Sequence, residues 1–168
     1  MNIDLSKETQ ELFEYLTDND LTVTFAESCT AGLLAANFCD IPGVSSVFKG
    51  SLVSYSDEVK VNNLNVKPFI INEYSAVSEQ TALEMAVNAA KMFNADCAIS
   101  VTGYAGPAGG TKVDPVGTFY IGMYDRGYTL VTREYLPGLT RNELRQKACE
   151  YAFMRFTENI VLRNIKLD

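Results

Sequence analysis

The chain has 168 residues, 47% apolar and 21% charged, which suits one domain over 1–168 and excludes a disordered tail, a collagen-like repeat and a long coiled coil. With 14 Lys and Arg against 21 Asp and Glu, the net charge of −7 argues against a broad nucleic-acid surface or a polybasic membrane contact, while a small anion needs only a local pair of basic groups. The histidine count is 0, which excludes Ser-His-Asp and Cys-His catalysis and every His-ligated metal, and leaves acid–base chemistry to Lys, Tyr, Cys or a perturbed carboxylate.

Met1-Asn2-Ile3-Asp4 has neither the basic nor the apolar region of a secretory leader. No stretch reaches the ~18 apolar residues of a membrane span, so a cytoplasmic, reduced protein is expected. Leu5, Leu12, Phe13 and Leu16 fall at helical spacing and predict a helix over 4–18, ended by Asp18-Asn19-Asp20. Leu21 to Ala26 is β-branched and aromatic and reads as a strand. A helix follows from Ala31, with Ser28 or Thr30 placed to cap it. Ile41 to Gly50 reads as a loop and Ser51 to Tyr55 as a strand. Ser56 begins a helix with Asp57 and Glu58 in its first turn. Ser78 to Phe93 is helical, with Ala82, Met85, Ala86, Ala89, Met92 and Phe93 on one apolar face. Cys97 to Thr102 is a short apolar run, as expected of a strand covered on both faces.

Gly103 to Gly117 is a Gly/Pro loop. Gly117–Tyr124 and Tyr128–Leu136 form a hairpin around Asp125-Arg126-Gly127. Arg141 to Arg163 reads as one long helix with Leu144, Ala148, Tyr151, Ala152 and Phe156 inward. This alternation predicts an α/β fold, a three-layer α/β/α sandwich with a mixed central sheet. Cys29, Cys39, Cys97 and Cys149 form no CxxC and are expected to be small buried hydrophobes.

Four places could carry chemistry. Glu27-Ser28-Cys29-Thr30-Ala31-Gly32 joins a strand end to a helix start, where ligands collect in open α/β sheets. Ser28 stands there as a nucleophile, or else Ser28 or Thr30 is only an N-cap, the plainer reading on pattern alone. Tyr55 and Lys60 could reach the same sheet edge, and without His a serine nucleophile needs Lys or Tyr as its base. A free Lys has a pKa of ~10.4 and a useful base needs ~7–8, so Lys60 would require burial or a neighbouring cation. The alternative is a solvated Lys60 and a sheet-end Tyr55. Thr102 to Thr111 is glycine-rich and matches neither a Walker A loop nor GxGxxG; it is a phosphate cradle or a long turn. Arg141 and Arg145 lie four apart on one helix face, ready for an anion or for solvent. Ser46-Val47-Phe48-Lys49 matches SxxK, but no SDN or KTG accompanies it, and it is set aside.

ESCTAG at Glu27–Gly32, YSDEVK at Tyr55–Lys60, AVSEQTALEMA at Ala76–Ala86, TGYAGPAGG at Thr102–Gly110 and PVGT at Pro115–Thr118 follow one another in a familiar order. Together they resemble the CinA C-terminal domain, the nicotinamide mononucleotide deamidase family also called PncC, over nearly the whole chain. The resemblance implies hydrolysis of the carboxamide of nicotinamide mononucleotide to nicotinate mononucleotide and ammonia, in pyridine nucleotide salvage, with no metal or cofactor. It implies Ser28 as nucleophile, Lys60 as base and Tyr55 as a relay or orienting hydroxyl. Thr30, Ala31 and Gly32 would hold the oxyanion. Thr102, Gly103 and Gly106 would hold the phosphate with one arginine. Arg145 is preferred over Arg141, because Leu144 and Ala148 beside it mark the inward side of that helix.

Two positions depart from the family. Ala31 stands where the family has Gly; at φ > 0 it would be strained by ~1–2 kcal/mol. Gly138-Leu139-Thr140-Arg141 replaces Gly-Asp-Arg, losing the Asp and adding one residue. Full CinA proteins also carry an N-terminal domain, so a stand-alone unit is expected here. A rival of another class is a non-catalytic nucleotide- or partner-binding domain of the same fold. A second is a serine amidase for another small amide. Homo-oligomerisation is left open.

Overall fold

The computed structural model describes residues 7–161 and 163. Its five strands are β1 (Val23–Glu27), β2 (Phe48–Val53), β3 (Cys97–Gly103), β4 (Thr118–Asp125) and β5 (Tyr128–Tyr135). They form one mixed sheet in the order β2-β1-β3-β4-β5. β1 runs parallel to both β2 and β3, and β4 and β5 are antiparallel additions. The carboxyl ends of β1, β2 and β3 therefore share one edge, which delivers Ser28, Ser54 and Tyr104 to the same place.

Side-chain alternation sorts the two faces. Val23 and Phe25 of β1 and Ile99 and Val101 of β3 join the larger core. That core is closed by α1 (Lys7–Asp18), α2 (Leu33–Cys39) and α6 (Arg141–Phe156). Phe25 meets Phe38 of α2 edge-on at 5.4 Å, and Phe153 of α6 lies 5.9 Å from both rings. Truncating a buried Phe in such a cluster typically costs ~3–5 kcal/mol. On the opposite face Ala26, Ala98 and Ser100 are small, and α5 (Glu79–Phe93) lies close against them. The Ser100 hydroxyl reaches the Ala82 carbonyl of α5 at 2.6 Å. Two shorter helices, α3 (Asp57–Asn62) and α4 (Pro68–Tyr74), link β2 to α5. The expected three-layer α/β sandwich with a mixed sheet is present.

Several local readings change. β2 begins at Phe48, inside the segment read as a loop. The register of β2 against β1 slips between Val23 and Thr24, a bulge, and Gly50 beside it takes φ 137. A glycine inside a bulged strand breaks the periodic signal. α4 was not foreseen; it is short, and its one sequence mark is Pro68 at the first helical positions. α6 ends at Phe156 and passes into a wider π turn over Thr157–Val161, so the long helix does not run regularly to Arg163. Residues 4–6 of the first predicted helix lie outside the described residues. Cys39, at the end of α2, is exposed, whereas Cys29, Cys97 and Cys149 are buried as expected. The hairpin holds: Asp125 pairs with Tyr128, and Arg126 and Gly127 take φ 45 and 96, as a two-residue turn requires. Among the described residues no helix is long and apolar enough to cross a membrane.

Candidate active site

The β1–α2 connection is held by a buried carboxylate. Glu27 is the last residue of β1 and is 0% exposed. Its two oxygens accept from the N–H groups of Gly32, Leu34 and Ala35 at 3.0, 2.9 and 3.0 Å, and from the Ser51 hydroxyl at 2.9 Å. The free N–H groups of the α2 start are thus already filled by an internal anion. This corrects the capping expected from Ser28 or Thr30: the N-cap position is Gly32, and neither hydroxyl caps α2. The turn also takes Ala31 to φ 50 and Gly32 to φ 91, so Ala31 does sit in the left-handed region.

Ser28 leaves β1 on the far side of that turn. Its N–H donates to Val101 of β3 at 2.9 Å, which fixes its backbone to the sheet. Lys60 arrives from α3, whose start is capped by the Ser56 hydroxyl accepting from the Val59 N–H at 3.2 Å. The Lys60 side chain is 1% exposed, and Nζ lies 3.1 Å from Ser28 Oγ. Nζ also donates to the Ser54 carbonyl at 2.8 Å and to the Tyr55 carbonyl at 3.4 Å. Burial lowers the Lys60 pKa from its ordinary value, opposed by the charge of Asp57. The neighbouring Cys29 thiol is pushed up to about 12 by burial, which keeps it protonated at neutral pH.

Ser28 and Lys60 open on a cavity of about 190 Å³. Its walls include Cys29, Tyr55, Asp57, Thr102, Tyr104 and Arg141. The Thr102 hydroxyl donates to the Ala76 carbonyl at 2.7 Å, so it braces the wall. Gly103 permits a close approach of β3 to β4, because a Cβ there would stand 2.5 Å from Phe119 Cβ. Tyr55 is 55% exposed, and its hydroxyl accepts from the Arg141 guanidinium at 2.7 Å. Its carbonyl, not its hydroxyl, meets Lys60. Arg141 also donates to the Gly106 carbonyl at 2.7 Å, joining the loop after β3 to the Tyr55 wall.

Arg145 goes elsewhere. Its guanidinium donates to the carbonyls of Cys29 and Thr30 at 3.2 and 3.0 Å, bracing the turn that carries Ser28 from behind. The preference for Arg145 as the arginine of the site is therefore reversed: Arg141 lines the cavity and Arg145 does not. Of the other expected residues, Thr30, Ala31, Gly32 and Gly106 are not on the cavity wall. The Ala31 N–H donates to the Ser28 carbonyl and the Gly32 N–H to Glu27. Sequence reasoning did not single out Asp57, Val77 or Tyr104 on the wall, or the role of Glu27. Among the described residues no three Cys, Asp or Glu side chains gather as metal ligands.

Comparisons with known proteins bear on the family and the fold. A CinA-like protein of Dictyoglomus turgidum is 48% identical over 130 residues, which cover 77% of this chain and 31% of that protein. The chain thus spans about a third of the length of the curated relatives it matches. The crystal structure of a competence damage-inducible protein A from Klebsiella pneumoniae superposes with a TM-score of 0.88 at 35% identity, covering 92% of this chain and 96% of that one. That of a competence/damage inducible protein from Agrobacterium tumefaciens gives a TM-score of 0.88 at 33% identity, covering 92% and 94%. The CinA C-terminal domain family matches residues 5–160, and the chain belongs to that family.

Proposed function

We propose that the protein is an amidohydrolase that converts nicotinamide mononucleotide to nicotinate mononucleotide and ammonia. The observation that carries this reading is the buried Lys60 amine 3.1 Å from Ser28 Oγ. A neutral amine has two N–H bonds and one lone pair. Nζ donates to the Ser54 and Tyr55 carbonyls and to Ser28 Oγ; on loss of one proton the two carbonyls keep the remaining N–H bonds, and the lone pair is left to accept from the Ser28 hydroxyl. Burial favours that neutral form, as a general base requires.

In the proposed reaction Ser28 Oγ attacks the carboxamide carbon and its proton passes to Lys60. The oxyanion forms beside the backbone of Cys29, on the cavity wall next to Ser28. Lys60 returns the proton to the leaving nitrogen, and ammonia departs as the C–N bond breaks. Water then attacks the ester with Lys60 as base, freeing the acid and Ser28. Arg141 serves as the phosphate ligand, exchanging its bonds to Tyr55 and Gly106 for the substrate anion. Tyr55 orients Arg141 in this scheme and does not relay a proton.

Incubation with nicotinamide mononucleotide tests the reading. Equimolar ammonia and acid product are expected. Binding without turnover would instead favour the nucleotide-binding domain of the same fold.

A further inference from the structure

The proposed chemistry uses Ser28, Lys60 and Arg141 and leaves one further charge on the cavity wall, which suits the first turn of its helix and holds the Lys60 proton but has no assigned contact with substrate. Asp57 lines the same cavity. It stands in the first turn of α3, three residues before Lys60, so both occupy one side of the helix. α3 does not need it as a cap, because the Ser56 hydroxyl fills that position. Among the described residues its carboxylate has no hydrogen bond and no ion pair at contact distance. Glu143, in the first turn of α6, is by contrast consumed by the Thr140 capping box. The cavity therefore presents the Arg141 cation, the Lys60 amine and one exposed carboxylate whose charge acts on Lys60. Toward a purely anionic ligand that carboxylate would only be repulsive. A ligand that carries both signs would instead use it.

We infer that Asp57 reads a positive charge on the ring of the substrate, which makes the site selective for zwitterionic pyridinium amides over neutral-ring ones. The inference rests on the amidase reading above and narrows its substrate class. An N-glycosylated pyridine carboxamide bears a fixed positive charge on the ring nitrogen, two ring bonds from the carbon that carries the amide. When Ser28 reaches the amide, that charge lies inside a small cavity with Asp57 on its wall. The phosphate, at the other end of the molecule, goes to Arg141. The ring charge also acts on the base. Lys60 faces Asp57 from its own helix, Cys29 from the β1–α2 turn, and Tyr55 and Arg141 across the cavity. Asp57 holds the Lys60 proton on; a cation that offsets Asp57 lets it go.

The test uses the full chain carrying Ser28→Ala, so that ligands are not consumed. Calorimetry compares nicotinamide mononucleotide with its dihydro form, which keeps ribose and phosphate but has a neutral ring. The oxidised ring is expected to bind about tenfold more tightly. Adding Asp57→Asn should remove that preference and leave dihydro binding unchanged, and Asp57→Glu should retain most of it. In the Ser28 enzyme, Asp57→Asn should also move the rising limb of the pH–rate profile to lower pH. Equal affinities in the parent, or an equal loss for both ligands in Asp57→Asn, would overturn the role of Asp57 while ammonia release by the intact chain upheld the amidase. No ammonia release by the intact chain would overturn both.

Discussion

The two walls of the cavity are built on opposite principles. On the β1–α3 wall, Glu27, Ser28 and Lys60 are buried and bonded to fixed internal partners. On the facing wall, the Arg141 guanidinium bonds to an exposed tyrosine and to one loop carbonyl. Buried polar groups that lose a partner cost the full desolvation penalty, so the first wall is held in one arrangement. Partially exposed groups exchange partners with water or ligand at little cost, so the second wall can trade its bonds for a substrate anion. The difference separates chemistry, which needs a preset geometry, from recognition, which needs exchangeable bonds.

The largest effect is expected where the preset wall loses its base. Lys60→Met should lower kcat by at least about a thousandfold while the far-ultraviolet spectrum stays native. The pH profile sharpens this. Burial lowers the Lys60 pKa, so the neutral, base-competent fraction rises with pH and is gained below the ordinary 10.5. The sign for stability is the same. Between the folded and unfolded pKa values the unfolded chain binds more protons at Lys60, so stability also rises with pH across that window. A flat rate profile from about pH 6 to 9 would remove Lys60 from the role of base.

Next comes the carboxylate that holds the Ser28 turn. Glu27→Ala leaves three N–H groups and the Ser51 hydroxyl without their acceptor. A loss of at least about 3 kcal/mol in denaturant unfolding is expected, at about 1–3 kcal/mol for each unsatisfied buried group. A loss under about 1 kcal/mol would show that solvent replaces Glu27 and that this wall is not preset.

The two arginines separate recognition from positioning. Arg141→Ala should lower kcat/KM for the nucleotide by roughly 10- to 100-fold and leave the nucleoside unaffected, as loss of one charge-assisted contact predicts. Arg145→Ala should affect nucleotide and nucleoside alike, because it loosens the Cys29 and Thr30 carbonyls behind Ser28. The reverse pattern would restore Arg145 as the anion ligand. The smallest effect is local. Ala31→Gly relieves a left-handed alanine but adds freedom to the unfolded chain, so a gain below about 1 kcal/mol is expected by thermal unfolding.

These residues also mark how far the amino-acid order carries. The pairing of Ser28 with Lys60 stayed open on the residues alone, where an N-cap and a solvated lysine fit as well; the family resemblance implied it, and the missing histidine is consistent with it. The choice between Arg141 and Arg145 was not legible. They share a helix face one turn apart, and only the position of the Ser28 turn decides which one meets the cavity and which one meets carbonyls. Glu27 escaped notice because its partners become reachable only when Ala31 and Gly32 turn left-handed, which no pattern of apolar residues records. The sheet and the long helix α5 were readable from periodicity. α4, with seven residues, is too short to carry one.

The central claim is that Ser28 is the nucleophile of an amide hydrolysis. The most direct measurement is ammonia release from nicotinamide mononucleotide by the wild-type chain and by Ser28→Ala, assayed side by side at equal folded concentration. Ammonia in step with the acid product is expected for the wild type, and none above the uncatalysed rate for Ser28→Ala. Near-normal release by Ser28→Ala would contradict it.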